Sequence, residues 1–247
     1  IEVVGWSTDK GPFDFGVGGS RGARMYTTAG YAAAQETKGN LKRLAAEFLG
    51  WSEEGITFDS GNLVNAANNE RVPLEQMATR GGSPVVGENS SMEGFDSPWT
   101  SFATHIAEVS VDPETAEVEL LSYTAVHETG RILNPVGFHG QVEGGIVQAI
   151  GGSLMEGLFY DESGRVINPS FADMKIPVSP DIPELKTVIL ESDAGHGPYK
   201  VRGIGEHTNI MAAAAIANAV ADASSGARVT ELPITNEKVY RARETSV

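Results

Sequence analysis

An α+β fold, with mixed and antiparallel sheets and packed helices, is what this sequence predicts, and three observations carry it. Thr104–Val111 alternates apolar and polar residues, turns at Asp112-Pro113-Glu114-Thr115 and returns through Val118–Val126, which is the clearest β signal in the chain. Tyr26–Leu49 carries Ala33, Leu41, Leu44, Ala45 and Phe48 at helical spacing. Ile210–Val220 is an Ala-rich run with strong helix propensity.

The remaining elements follow in order. Ile1-Glu2-Val3-Val4-Gly5-Trp6 opens without Met and reads as the middle of a strand, so the chain is expected to be a fragment or processed piece with an N-terminal neighbour. The helix from Tyr26 has a potential break at Gly39-Asn40 and stops at Gly50. Ile56–Phe58 and Asn62–Val64 form a short hairpin around Asp59-Ser60-Gly61, and Val72–Ala78 forms a short helix introduced by Pro73. Arg80–Ser97, rich in Gly, Ser, Pro and Asn, reads as a long surface loop, of the length that is either functional or disordered. Gly140–Met155 reads as a helix despite five glycines, each costing about 1 kcal/mol against alanine, so close packing on a backbone or on a ligand must compensate. Gly157–Ile167 is expected to turn back on itself at Asp161-Glu162-Ser163-Gly164. A proline-punctuated loop then leads to the strand Leu185–Leu190, and Leu232-Pro233-Ile234-Thr235 opens a closing segment with a terminal helix from Asn236. No internal repeat and no clear linker interrupts the chain, and 247 residues make one large or two small domains.

Charge and composition narrow the partners. With 18 Lys and Arg against 33 Asp and Glu, the net charge of −15 speaks against a nucleic-acid backbone or an anionic membrane surface. No apolar run approaches a membrane span and no signal peptide is visible, so the expected compartment is the cytoplasm. The chain has no cysteine, which rules out disulfides, zinc–thiolate sites, protein-held iron–sulfur clusters and Cys nucleophiles within it.

Two stretches carry chemistry. Lys200-Val201-Arg202-Gly203-Ile204-Gly205-Glu206 places a carboxylate directly after two glycines that allow close approach and directly before the Ala-rich helix. Such an acid is a candidate general base; it is equally a helix cap, stabilised by the orphan N–H groups and the dipole at a helix start. Upstream, Lys10–Gly22 holds five glycines in thirteen residues, and Val17, Gly18, Gly19, Ser20, Arg21 and Gly22 offer backbone N–H groups, a hydroxyl and a guanidinium ahead of a helix. That is the composition of an anion cradle. It is neither a dinucleotide fingerprint, because Arg21 stands where the third glycine belongs, nor a P-loop, and it is also what an ordinary Gly-rich turn looks like. The five histidines, at 105, 127, 139, 196 and 207, show no metal-ligand spacing and are expected to be mostly structural, with His207 set apart by its place beside Glu206.

Taken in order, these stretches resemble the C-terminal part of the molybdenum-binding large subunit in the xanthine dehydrogenase/aldehyde oxidase family of molybdenum hydroxylases. Four pieces carry the resemblance: the Gly18-Gly19-Ser20-Arg21 loop; Val111–Thr115 with His127-Glu128-Thr129-Gly130-Arg131-Ile132-Leu133-Asn134-Pro135; Gly140-Gln141-Val142-Glu143-Gly144-Gly145; and Gly203-Ile204-Gly205-Glu206. Ala215–Val220 and Thr230–Thr235 follow in the same order, and nearly the whole chain, 1–247, is covered as one molybdopterin-binding region divisible into two α+β subdomains.

What the resemblance implies is specific. The metal is held by a pyranopterin dithiolene with no protein ligand required, so the lack of cysteine is no obstacle. The residue matching Glu206 is the family's general base, taking the proton from the metal-bound hydroxyl as its oxygen attacks an electrophilic carbon and hydride passes to the sulfido ligand. Gln141 matches a glutamine that binds the pterin, while Gly19, Ser20 and Gly22 match the loop along the pterin and its phosphate. Gly18, Gly203 and Gly205 belong to the same cofactor-facing backbone, and Arg21 is added to them on its charge. Bacterial members use molybdopterin cytosine dinucleotide and pass electrons to two [2Fe–2S] clusters and FAD on partner chains or domains. The upstream half of the molybdenum subunit lies outside this chain, so activity is expected only with that half and the redox partners, on a small organic substrate. His207-Thr208-Asn209 departs from the Pro-Pro or Gly-Gly that follows the glutamate in many relatives, and puts polar side chains beside the presumed base. Two other classes compete: a scaffold of the same fold without the metal, and a nicotinamide dinucleotide domain resting only on the Gly16–Gly22 loop.

Overall fold

The structure is a computed structural model that describes residues 7–9, 13–14, 16–89 and 101–245, and it divides into two compact units. The opening strand expected at Ile1–Trp6 and the second half of the Arg80–Ser97 loop fall outside the described residues.

The larger unit comprises residues 1–23, 98–196 and 200–247. Its sheet has the order β4 (Phe102–Val111), β5 (Val118–Glu128), β6 (Glu184–Leu190), so β5 is central. β4 and β5 pair antiparallel across the Asp112–Thr115 turn, where the Asp112 carboxylate accepts the N–H groups of Glu114 and Thr115 at 2.8 and 2.7 Å. β6 joins β5 in parallel, with Ala125 opposite Thr187, and this makes the sheet mixed. Alternation puts Tyr123, Ala125 and His127 of β5 on the covered face.

That face is packed by α3 (Pro135–Leu154) and α5 (Ala212–Ala223), with α4 (His207–Ile210) leading into α5 and α6 (Asn236–Thr245) closing the chain. Their shared core contains Tyr123, Phe138, Val142, Ile146, Ile150, Ile216, Val220 and Val239. α3 begins five residues before the expected Gly140. Asn134 caps it by accepting the N–H of Gly137 at 3.0 Å, and Pro135 occupies the first turn, where its missing N–H costs nothing. The expected hairpin at Gly157–Ile167 is a turn tied by one bridge, Tyr160 to Val166, and not a pair of strands.

The smaller unit comprises residues 24–97 and 197–199. Most of α1 (Gly22–Leu49) lies in it and runs without interruption through Gly39-Asn40, until Gly50 ends it at φ +67°. β1 (Ile56–Asp59), β2 (Asn62–Asn65) and β3 (Arg71–Pro73) form an antiparallel sheet in that order. The third strand takes the residues expected to start a helix, and α2 (Leu74–Arg80) begins only after Pro73. Leu41, Ala45, Trp51, Ile56, Leu63, Val72 and Met77 form this unit's core. Part of the expected surface loop is not free: Val86 O accepts from Asn40 Nδ2 at 2.7 Å, and a Cβ on Gly87 would stand 2.6 Å from Thr37 N, so the strand of chain from 86 to 88 lies directly on α1.

Candidate active site

The site is built inside the larger unit, where two loops remote in sequence interlock. Ser20 Oγ accepts the backbone N–H of Glu206 at 2.8 Å, and Gly19 N–H donates to Glu206 Oε1 at 3.1 Å. The approach depends on glycine. A Cβ on Gly203 would overlap Ser20 O and stand 2.7 Å from Ser20 Cβ, and one on Gly205 would lie 3.1 Å from Ser20 Oγ. Gly203 and Gly205, read from the sequence as allowing close approach to a ligand, approach the Ser20 turn. That turn itself sits at positive φ, +65° for Gly19 and +57° for Ser20.

Glu206 occupies the residue before α4 but makes no side-chain cap to it. It stands at the N-cap position without a capping hydrogen bond: the carboxylate is exposed, turned to Gly19, and its Oε2 has no partner among the described residues. α4 is fixed instead by Thr208, whose hydroxyl donates to Gly205 O at 2.7 Å and packs on Gly145 so closely that a Cβ there would come within 2.7 Å of Thr208 Cβ. Asn209 Nδ2 donates to Gln148 Oε1 at 3.3 Å. Gly145 and Gln148 thus lie on the α3 face that meets α4, and Gln141 stands one turn before Gly145 along it. Gln141 is exposed on it and makes no hydrogen bond to Glu206. Gly145 and Gly151 are explained by packing, Gly151 against Pro177, whereas Gly140, Gly144 and Gly152 face open space.

The glutamate loop is held from behind by the His127–Arg131 segment. Arg131 N–H donates to Lys200 O at 2.8 Å and Arg202 N–H to Thr129 O at 3.1 Å, so β5 is prolonged by a backbone bridge between Gly130 and Val201. Arg202 Nη1 bonds Glu128 Oε2 at 2.7 Å, with the side chains only 8% and 17% exposed. Burial pushes the Glu128 carboxyl up, but hydrogen bonds from Ser192 Oγ and Gly130 N–H, together with the Arg202 guanidinium, outweigh it and hold the group below its ordinary range.

The Gly18–Gly22 turn, read from the sequence as an anion cradle, already gives its Gly19 N–H to Glu206 Oε1. Gly18 and Gly19 have no atom within 4 Å of where a side chain would stand, which leaves their backbone accessible. Arg21 donates from Nη2 to Gly16 O at 3.0 Å, while its Nε is buried without a partner among the described residues. Gly22 is the first residue of α1. Among the described residues no group of three or more His, Asp or Glu is placed to hold a metal ion.

Sequence reading missed the companions of His207. His105 and His127 come together with it and with Tyr123: His105 Nδ1 is 2.8 Å from Tyr123 Oη, His105 Nε2 is 3.0 Å from His127 Nε2, and the His127 and His207 ring centres are 5.4 Å apart. Burial lowers the pKa of all three imidazoles, that of His127 to about 4. The alternation of β4 and β5 placed His105, Tyr123 and His127 on one face; the pairing register needed to see them as neighbours is not written in either strand.

Residues 1–183 match the molybdopterin cofactor-binding domain family, and the chain belongs to that family. It is 34% identical over 92% of its length to the aldehyde oxidoreductase molybdenum-binding subunit PaoC of Escherichia coli, and 33% identical over 98% to the nicotine 6-hydroxylase large subunit of Paenarthrobacter nicotinovorans. The crystal structure of quinoline 2-oxidoreductase from Pseudomonas putida superposes on 96% of the chain with a TM-score of 0.80 at 28% identity. The chain spans about a third of the length of these relatives, 31% of each of the first two and 32% of the third.

Proposed function

We propose that this chain forms the base-bearing part of a molybdenum hydroxylase that oxidises a small organic substrate with oxygen drawn from water, with Glu206 as the general base. One observation supports this reading above the others: a carboxylate that makes no capping hydrogen bond to α4 is joined through Gly19 and Ser20 to a glycine-rich turn. The residues that would hold a molybdopterin cytosine dinucleotide are the backbone of Gly18, Gly19 and Gly22, the Ser20 hydroxyl, Arg21 through its unpartnered Nε, the Gly203–Gly205 backbone and Gln141. When bound, that group supplies the redox-active metal and lowers the pKa of the water-derived oxygen, which lets a carboxylate serve as base.

The chain's own residues do the rest. Gly19 N–H restrains Glu206 Oε1 and leaves Oε2 to take the proton. Ser20, Gly203 and Thr208 fix the backbone on both sides of the acid, which keeps the reacting oxygen in one place. The Glu128–Arg202 pair anchors the loop from the sheet side. The remainder of the molybdenum subunit completes the pocket, and iron–sulfur and FAD partners in a cytoplasmic hetero-oligomer take the electrons.

Glu206→Gln in the assembled enzyme tests the base directly. It should retain molybdenum and pterin while turnover falls by at least about a hundredfold. Near-normal turnover with full cofactor would remove Glu206 from the role, and a purified complex free of molybdenum and pterin would remove the function.

A further inference from the structure

In the sheet register His105 stands opposite Ala125, whose methyl leaves space for an imidazole, and Tyr123 and His127 flank Ala125 on the same face of β5. His105 therefore reaches both, bonding Tyr123 Oη through Nδ1 and His127 Nε2 through Nε2. An imidazole that gives a proton at one nitrogen accepts one at the other when neutral, so the three groups share a single direction of donation. If Tyr123 donates to His105, then His105 donates to His127, and His127 must carry its proton on Nδ1. That Nδ1 is buried and has no partner among the described residues; on the neighbouring ring, His207 Nε2 is also buried and has none among them. Buried polar groups are rarely left unpaired. Here the two unpaired atoms lie on rings whose centres are 5.4 Å apart, and a proton on His127 Nδ1 would be met by an unprotonated His207 Nε2.

We propose that His127 Nδ1 and His207 Nε2 are the two ends of one link, direct or through a single water, and that the array Tyr123–His105–His127–His207 fixes the ring orientation and tautomer of His207, making it a positioning residue for Glu206. The inference rests on the reading of Glu206 as the base. His207 follows Glu206 directly and is the first residue of α4, so the ring and the carboxylate leave the chain from adjacent backbone positions. Burial lowers the pKa of all three imidazoles and so favours their neutral form, the state in which directional donation is possible, although Glu206 works against it at His207. An equivalent array cannot form where Pro-Pro or Gly-Gly follows the acid, and this ties the device to the His207-Thr208-Asn209 sequence.

Two measurements on the assembled, cofactor-loaded enzyme decide it. A neutron structure should show a His127–His207 link with heavy-atom distances of about 2.7–3.2 Å, direct or through one water, and protons running in one direction from Tyr123 to His207. Separate partners for the two nitrogens, or protons that break direction between Tyr123 and His207, would overturn the proposal. His127→Phe, which keeps a ring but no donor, should lower kcat about tenfold at unchanged KM with full cofactor, the scale on which an orienting partner acts. His127→Asn, whose Nδ2 takes the place of the imidazole Nδ1, should recover part of that loss. An unchanged kcat in the Phe variant, or equal impairment of both, counts against the array, and if the Phe variant does not fold the neutron structure decides alone. A Glu206→Gln enzyme that still turns over would defeat the base while leaving the proton positions in the array to be judged separately.

Discussion

Gly203 lies so close to Ser20 that a side chain there would stand 2.7 Å from Ser20 Cβ and overlap the Ser20 carbonyl oxygen. The obstacle is backbone, which cannot swing away as a flexible side-chain end can. Gly203→Ala should therefore push the two loops apart, cost about 1–3 kcal/mol as overpacking does, and displace Glu206 from Gly19. Gly205→Ala meets only the Ser20 hydroxyl at 3.1 Å and should be milder. Thermal unfolding and turnover of the two variants side by side check the ranking.

Ser20 combines a hydroxyl that holds Glu206 N–H with a backbone at φ +57°. Ser20→Ala loses the hydrogen bond and keeps the strained conformation, while Ser20→Gly loses the bond and relieves the strain. Removing the acceptor should cost about 1 kcal/mol in both. The Ala variant should be the less stable of the two by roughly 0.5–1 kcal/mol, because only glycine adopts positive φ freely. Both should lose turnover beyond what stability explains, since each frees the carboxylate loop; equal melting of the two would mean that the φ at this position carries no cost.

Much of this site is legible in the chain, and the reason is local. Gly203-Ile204-Gly205-Glu206 and Gly18-Gly19-Ser20 announce close backbone approach because only glycine permits it, although the sequence does not say that the two loops approach each other. The β4–β5 pair is legible because its alternation and its Asp112-Pro113 turn are contiguous, whereas the parallel pairing of β6 depends on a crossover of more than fifty residues that leaves no local trace. The early start of α3 was signalled by Asn134-Pro135, a cap followed by a first-turn proline, which reads as the end of a strand until the cap is recognised. The imidazole array was hidden for the opposite reason: each histidine looks solitary in sequence, and only the β4–β5 register and the placement of α4 join them.

The pair of Glu128 and Arg202 should behave as a buried ion pair. Removing one partner strands the other, so Glu128→Gln and Arg202→Leu should each cost about 3 kcal/mol, with the double variant costing less than their sum. Because Glu128 is held below its ordinary range, its contribution is complete above the ordinary carboxylate pKa and is lost as pH falls through the lowered one. Denaturant unfolding of the four forms at neutral pH and again at strongly acidic pH checks both claims; additive losses would show that the two side chains do not interact.

The imidazole array predicts a second acid-sensitive step at higher pH. His127 has an ordinary value of 6.5, lowered to about 4 in the fold first by burial and then by the neighbouring His105 and His207. Below 6.5 the unfolded chain binds a proton that the folded chain refuses, so stability is fully present above 6.5 and declines as pH falls from 6.5 toward 4. His105 and His207 are lowered in the same direction and steepen that decline. The loss attributable to His127 reaches up to about 3 kcal/mol. In His127→Phe the slope of unfolding free energy between pH 6.5 and 4 should flatten measurably relative to the parent protein, even though the variant has lost the ring nitrogen contacts. An unaltered slope would mean that His127 titrates in the folded chain as it does in the unfolded one, and that the buried ring is not held neutral.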